Sequence, residues 1–402
     1  MSGVDSTAIN GLVKYIYDDR TVENLQNMDA PTLKRIKKSP KKPSGLGFQT
    51  PVNVQGNQRG QGSQNELEAL RTPANQTPLK FTITPKIFTH VIRLSGLSMD
   101  IAKGNEDSFA DNATFQMDEG LRDGGKERNA QCFRDGSGVI AQVNETLSAD
   151  ATVTVDGGTL THFRVGMYID AFTSTTKEID SIEVTAVDIA NSTITLASAQ
   201  TATDNAYIYR EDTHDNAPSD GKELAGLPLM ADDGTLSVTY QGQSRSTYNQ
   251  LDGITIDASS ANLSSDLLQR AISRAKIIGG RKPKRIISNT SQMRKYLDIV
   301  TPMKQDVTGK NMDSGYEVTP TWNGMEWVED TDCGFGDLYM FDPDYVERFS
   351  VREFGWDDKA GDIFKWDQGY DAFIAYAKAY DNLGCRVPNA VVRIKSLATP
   401  TF

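Results

Sequence analysis

Between Asn105 and Asp135 the chain reads NEDSFADNATFQMDEGLRDGGKERNAQCFRD. Phe109, Ala113, Met117 and Leu121 recur every four residues, and the stripe resumes at Cys132 and Phe133. Asp107, Asp111, Asp118, Glu119, Arg122, Asp123, Lys126, Glu127, Arg128 and Arg134 surround it. That pattern predicts one long helix over 105–135 with a narrow apolar seam and an otherwise wet surface. Asn105 is the expected N-cap and Gly136 the stop. A helix of about 30 residues spans roughly 45 Å. Gly120, Gly124 and Gly125 each weaken it by up to about 1 kcal/mol against Ala. They predict a bend, a close approach of another backbone, or two helices broken at Gly124–Gly125. One thin seam cannot bury a domain, so the helix is expected to lie across a sheet or other subunits.

Elsewhere the period changes. Ile9, Leu12, Val13 and Ile16 share a face of a short helix over Ser6–Asp18. The runs GFQTPVNV (47–54) and PLKFTITPKIFTHVIRLS (78–95) alternate and predict a long antiparallel ribbon across a polar loop. Pro51 and Pro85 suit free edges. An isolated ribbon is marginal in water, so it should rest on another copy of the chain. From about residue 144 to 211, candidate strands at 151–155, 167–172, 179–187, 192–197 and 206–210 predict a small barrel or sandwich. Its surface reads as Thr, Ser and Asp, without clustered aromatics or a ligand site. A helix over 263–278, capped by Ser260 or Asn262, precedes the strand KRIISN. A second helix, SQMRKYLDIV, is capped by Asn289 or Thr290 and ended by Pro302. This is a compact α/β unit. More strands follow at 324–329, GDLYMFDP and YVERFSV. The chain closes as a hairpin that runs through 373–380, turns at Asp381–Gly384 and returns through Val391, Val392 and Ile394.

The 402 residues are 24% charged and 38% hydrophobic, enough for two or three domains. No apolar run approaches the roughly 18 residues of a membrane span. The first residues lack the pattern of a secretory signal. Three widely spaced cysteines, Cys132, Cys333 and Cys385, speak for a reducing synthesis compartment and against a disulfide scaffold. Net charge is −12, unevenly spread: residues 1–44 carry eight Lys/Arg against five Asp/Glu, leaving the body at −15. Lys34, Arg35, Lys37, Lys38, Lys41 and Lys42 crowd into LKRIKKSPKKP. Such a run is a strap on an acidic neighbour or packaged nucleic acid, or a solvated linker. No aromatics interleave with it for base stacking.

Candidate chemistry is sparse. His90, His162 and His214 lie in three different regions, and none of the common metalloprotease, hydrolase-elbow, dinucleotide or phosphate-loop motifs is present. Nothing local pairs a cysteine with a histidine. Asp232–Asp233, Asp330/Asp332 and Asp357–Asp358 are acidic pairs, but a glycosidase needs two carboxylates facing across a cleft, roughly 5–9.5 Å apart. No loop matches the helix-loop-helix calcium pattern. No catalytic, cofactor-binding or metal-binding residue is expected.

Basic arm, projecting ribbon, spine helix, central α/β unit and closing β hairpin, in that order, resemble the major capsid proteins of tailed bacteriophages. Phrases such as IISNTSQMRKYLDIV and LGCRVPNAVVRI add to the likeness. The resemblance implies an α+β (HK97-like) shell fold with a small β domain inserted after a spine helix. It implies an N-terminal arm at 1–45, an extended loop at 46–95 and a peripheral domain at 96–142 and 325–402, with the spine at 105–135. The inserted domain falls at 143–211 and the axial domain at 212–324, with flexible junctions near Gly221, Gly226 and Gly234. It further implies homo-oligomeric hexamers and pentamers tiling an icosahedral virion shell, made in the host cytoplasm. The shell encloses double-stranded DNA without sequence-specific binding, and no membrane is involved. The loop of one subunit lies over the peripheral domain of its neighbour. About 45 residues precede the loop, so a separate scaffolding protein is expected, beside a portal and decoration proteins. The six basic residues of the arm and Arg59, Glu66, Glu68 and Arg71 of the loop are the candidate subunit contacts; otherwise they are solvated charges. No lysine–asparagine cross-link can be matched. The alternatives are an encapsulin-like nanocompartment shell, a pore or decoration protein, and a β-rich glycoside hydrolase.

Overall fold

The computed structural model describes residues 30–45, 47–59, 61–72, 75–97, 106–156, 160–214, 221–304, 321–359, 362–367 and 369–399. The expected helix over Ser6–Asp18, the Asn105 cap and the side chains of Phe109 and Ala113 lie outside the described residues.

Glu106–Gln131 is one helix of 26 residues, unbroken at Gly124–Gly125. Its glycines admit side chains of the sheet beneath rather than another backbone. A Cβ on Gly120 would sit 3.0 Å from His90 Nε2, and one on Gly124 would drive into the Phe354 ring. Its last turns are not wet. Lys126, Glu127, Arg128 and Asn129 are at most 3% exposed, and Arg134 just beyond is also buried. Each meets a polar partner from a distant segment, which is what makes their burial tolerable.

The sheet under this helix has five strands. Val346–Trp356 pairs with Ala372–Cys385, which also pairs with Phe364–Trp366 and Lys86–Ser95; Lys37–Lys38 adds in parallel to the outer edge of Val346–Trp356. Phe88, His90 and Ile92 share the helix-facing side of Lys86–Ser95. Ile87, Thr89 and Val91 lie on the other side, opposite Tyr380, Lys378 and Tyr376.

The ribbon is shorter than its pattern. Phe48–Gln55 pairs with Thr77–Ile83 only, and residues 86–95 leave it for the five-stranded sheet. Pro85 has no N–H, and the Thr84 carbonyl is taken by Asn382 Nδ2 at 2.8 Å, so the ladder cannot continue. Phe48 and Ile83 root the ribbon on Phe349, with the two phenyl rings 5.4 Å apart.

The expected closing hairpin is absent. Ala372–Cys385 is one strand straight through Asp381–Gly384. These turn-forming residues are held extended by tertiary partners. Arg128 takes Asp381, while Asn382 Oδ1 accepts from Ala225 N at 2.9 Å. Gly384 lies so close to Ile83 Cδ1 that a Cβ there would stand 2.5 Å away. Val392–Lys395 goes instead to a six-stranded sheet, in the order Ile254–Asp257, Val392–Lys395, Leu338–Phe341, Arg285–Ser288, Met325–Glu329, Thr321–Trp322. The stretch 325–402 is therefore shared between two sheets, and a boundary at 324 cuts through one of them. Helices Ser265–Gly279 and Thr290–Lys304 accompany this sheet, and the first packs on it through Leu268, Ala271 and Ile272. Ser264, not Ser260 or Asn262, caps the first helix, accepting from Leu267 N at 3.2 Å. The second runs two residues past Pro302, which removes one hydrogen bond without ending it.

Residues 139–210 close into a six-stranded barrel with its own core around Ile169, Val184, Ile194 and Ile208. The strand Val139–Val143 was not among the expected five. The barrel does cluster aromatics. Phe172 stacks on His214 at 3.7 Å and meets Tyr209 edge-on, because Tyr168–Thr173 and Tyr207–Arg210 are neighbours. Residues so far apart in sequence cannot show this by local pattern.

Candidate assembly surfaces and their ionic support

The arm is stitched to its own chain. Leu33 N donates to Asn129 Oδ1 at 2.9 Å and Thr32 N to Asp330 Oδ2 at 3.2 Å. Strand Lys37–Lys38 then carries its cations alongside local acids. Lys37 pairs with Asp344, Lys38 Nζ lies 2.7 Å from Glu353, and Arg35 Nε lies 3.7 Å from Glu326. Lys41 Nζ donates to Thr50 Oγ1 at 2.9 Å; partial burial and the nearby Arg386 lower its pKa. Lys34 and Lys42 are exposed.

In the loop, Arg59 and Glu66 are exposed, and neither side chain has a polar partner among the described residues. Glu68 Oε2 accepts from Asn65 N at 2.9 Å, and Arg71 donates to the Ser63 carbonyl. Beside these charges stand Leu67, 100% exposed, and Leu70, 90% exposed. A search for charged pairs passes over these two. Their signal was an apolar pair three apart in an otherwise polar loop.

Behind these surfaces, four segments meet at the end of the long helix. Arg134 Nη1 lies 3.0 Å from Glu127 Oε1 and 2.7 Å from Glu223 Oε1. Arg210 of the barrel reaches Glu127 Oε2 at 2.7 Å. Arg134 Nε donates to His162 Nδ1 at 3.3 Å, which makes Nε2 the protonated nitrogen that donates to the Asp332 carbonyl at 2.8 Å. Lys126 Nζ lies 2.9 Å from Asp332 Oδ1, and Asn129 Nδ2 bridges Asp330 and Asp332. Burial would raise Glu127, but Arg134 and Arg210 outweigh it and hold the carboxyl down at about 2. Glu223 has only Arg134 to share, and burial pushes it up to about 7. Burial, with Arg134 beside it, lowers His162 to about 3. Gly221 and Gly226, expected at flexible junctions, are packed tight here. A Cβ on Gly226 would meet the carbonyls of Cys132 and Arg134, and one on Gly221 the backbone of Gly136. Gly234 is open, at φ 92°.

A cavity of 410 Å³ lies beside this joint, lined by Lys86, His90, Asp123, Arg164, Arg210 and Glu223 among others. Its cations and carboxylates are interspersed, with Glu223 engaged by Arg134 and Arg210 by Glu127. The acidic pairs are also engaged. Asp330 and Asp332 belong to the joint, Asp232 accepts from Leu236 N and Ser237 N, and Asp357 sits among Arg352, Lys365 and Lys378. The three thiols are buried, and burial pushes Cys385 up to about 12. Among the described residues no group of three or more His, Cys, Asp or Glu is disposed to hold a metal, and no helix is long and apolar enough to cross a membrane.

This architecture recurs along almost the whole length of solved shell proteins. The cyanophage A-1(L) capsid asymmetric unit superposes with a TM-score of 0.58 at 11% identity, over 98% of this chain and 99% of that one. The chain has the fold of that capsid subunit. The capsid of an empty GTA particle superposes at 0.51 and 9% identity, over 99% of each chain. A holo-SrpI encapsulin from Synechococcus elongatus is a looser likeness, at 0.45 and 9% identity over 96% of this chain and 95% of that one. No family model matches the sequence, and the comparison with curated proteins finds no match. The fold thus survives where identity has fallen to about a tenth.

Proposed function

We propose that this protein is the repeating subunit of a closed shell: a major capsid protein that assembles as hexamers and pentamers into an icosahedral particle around double-stranded DNA. The observation that carries the reading is the likeness to the cyanophage A-1(L) capsid subunit over 98% of this chain. The form of the chain supports it. A two-stranded ribbon with two bare leucines at its loop suits a particle in which neighbours cover it. Many modest contacts, repeated by symmetry, then stabilise the shell together. A net charge of −12 suits a wall that encloses DNA without gripping it.

In this reading the barrel at 139–210 is the domain inserted after the spine. Lys42, Arg59 and Glu66 serve contacts between copies, while Arg35, Lys37, Lys38 and Lys41 fix the arm on its own subunit first. A separate scaffolding protein, a portal and decoration proteins complete the particle. The test is electron microscopy of the recombinant chain, expressed alone and with its scaffolding protein. Closed particles with hexameric and pentameric units support the reading. Particles that hold a protein cargo and no nuclease-protected DNA indicate a nanocompartment instead. A monomer under every condition defeats both.

A further inference from the structure

We propose that the cavity between the long helix and the barrel binds a basic α-amino acid, with Arg164 on its carboxylate, Asp123 on its α-ammonium and Glu223 on the cation that ends its side chain. The site belongs to the single subunit and does not depend on the shell reading.

Three charged groups that line the 410 Å³ cavity and are at least half-buried lack partners among the described residues. Arg164 Nη2 and Glu223 Oε2 are buried and make no hydrogen bond. Asp123, on the long helix, makes neither a hydrogen bond nor an ion pair. The other cations of the lining are engaged within the chain. Arg210 reaches Glu127, Lys86 donates to the Gly221 carbonyl, and Lys222 Nζ donates to the carbonyls of Asp212 and His214. Unmet groups converging on one cavity are the mark of a ligand site.

Each of the three is fixed in place. Phe163 N donates to the Leu160 carbonyl at 3.0 Å and Met167 N to the Arg164 carbonyl at 3.1 Å. Phe163 and Met167 are themselves buried, so the barrel wall holds Arg164 between them. Gly124, next to Asp123, packs on the Phe354 ring and sets the rotation of the helix. Glu223 is held through Oε1 by Arg134 at 2.7 Å, which leaves Oε2 for a second donor. A site built in advance loses little entropy on binding.

One donor and two acceptors are the complement of one carboxylate and two cations. Arg164 and Asp123 act on each other through charge but form no direct ion pair. A group that carries carboxylate and ammonium on one carbon bridges them with charge-assisted hydrogen bonds. Glu127 lies one helical turn beyond Asp123 and shares Arg134 with Glu223. Glu223 is therefore reached about one turn farther along, roughly 5–6 Å. The stem of lysine or arginine covers that span. Its terminal cation gives Glu223 the second counter-charge that Glu127 already has in Arg210.

The test is isothermal titration calorimetry of the full-length chain with each standard L-amino acid in turn. L-Lysine or L-arginine should bind one to one, and L-leucine and L-glutamate about thirtyfold more weakly or worse. Cadaverine, which is lysine without its carboxylate, should bind the parent about thirtyfold more weakly than lysine, and Arg164→Gln should abolish that difference. Aminocaproate, which is lysine without its α-ammonium, should likewise bind weakly, and Asp123→Asn should abolish that difference. The two analogues test the same contacts on the parent chain if a variant fails to fold. No binding of lysine or arginine overturns the proposal. So does equal binding of lysine and leucine, or of lysine and both analogues. Particle assembly, read by microscopy, decides the shell reading separately.

Discussion

Arg134 and Glu223 stand 2.7 Å apart, nitrogen to oxygen, at a sequence separation of 89 and with no exposure to speak of. The same Arg134 nitrogen serves Glu127, which has Arg210 as a second cation. One guanidinium cannot fully compensate two buried carboxylates, so the less supported one, Glu223, carries the desolvation penalty.

That asymmetry gives a pH signature. Glu223 is raised in the folded state, so its contribution is fully present below the unfolded carboxyl range and is lost as pH rises through about 7. Glu223→Gln, neutral throughout, should be more stable than the parent near pH 8 by on the order of 3 kcal/mol and nearly equal to it near pH 4. Calorimetric Tm values of both chains across that range decide the matter; a difference constant with pH refutes the assignment. Glu127, depressed to about 2, acts in the opposite sense and only in acid, where stability falls as pH drops from the usual glutamate range through about 2.

Neighbouring glycines of the long helix should respond in opposite ways. Nothing lies within 4 Å of a Cβ on Gly125, so Gly125→Ala should gain up to about 1 kcal/mol of helix propensity. Gly124→Ala drives a methyl into Phe354 and should lose about 1–3 kcal/mol. Urea denaturation of the two single variants reads both signs, and a stabilised Gly124→Ala would show that Phe354 does not set the packing.

Arg128 pairs with Asp381 where both are buried, with Phe354 5.6 Å from the guanidinium. Arg128→Met leaves Asp381 without its main cation and should cost about 3–5 kcal/mol. Replacing both, Arg128→Met with Asp381→Leu, should cost clearly less than the two single changes together. Additive costs in a double-mutant cycle would show that the pair is not coupled.

The thiols offer a simple check on the cores. Cys132, Cys333 and Cys385 are buried, and burial raises each above its ordinary range. A thiol reagent near pH 8 should titrate none of them in the native subunit and all three after denaturation. Rapid reaction of any one in the native state would place it at an opened surface.

Much of the architecture is written locally. A four-residue stripe specifies the long helix, alternation specifies the ribbon strands, and the apolar face of 265–279 with Gly280 behind it specifies a capped amphipathic helix. These follow from burial on one side of a regular element, which leaves a period in the chain. What tertiary structure alone decided is where polar residues go. Lys126, Glu127, Arg128 and Arg134 read as solvent-facing because nothing local announces Asp332, Arg210, Asp381 and Glu223. Asp381–Gly384 reads as a turn because Arg128, Ala225 and Thr84 are far away in sequence. Leu67 and Leu70 were plain in the chain, but only the fold showed that their own subunit leaves them bare. A period records which side of an element is covered; it does not record the identity of the partner, and a buried charge is decided by its partner.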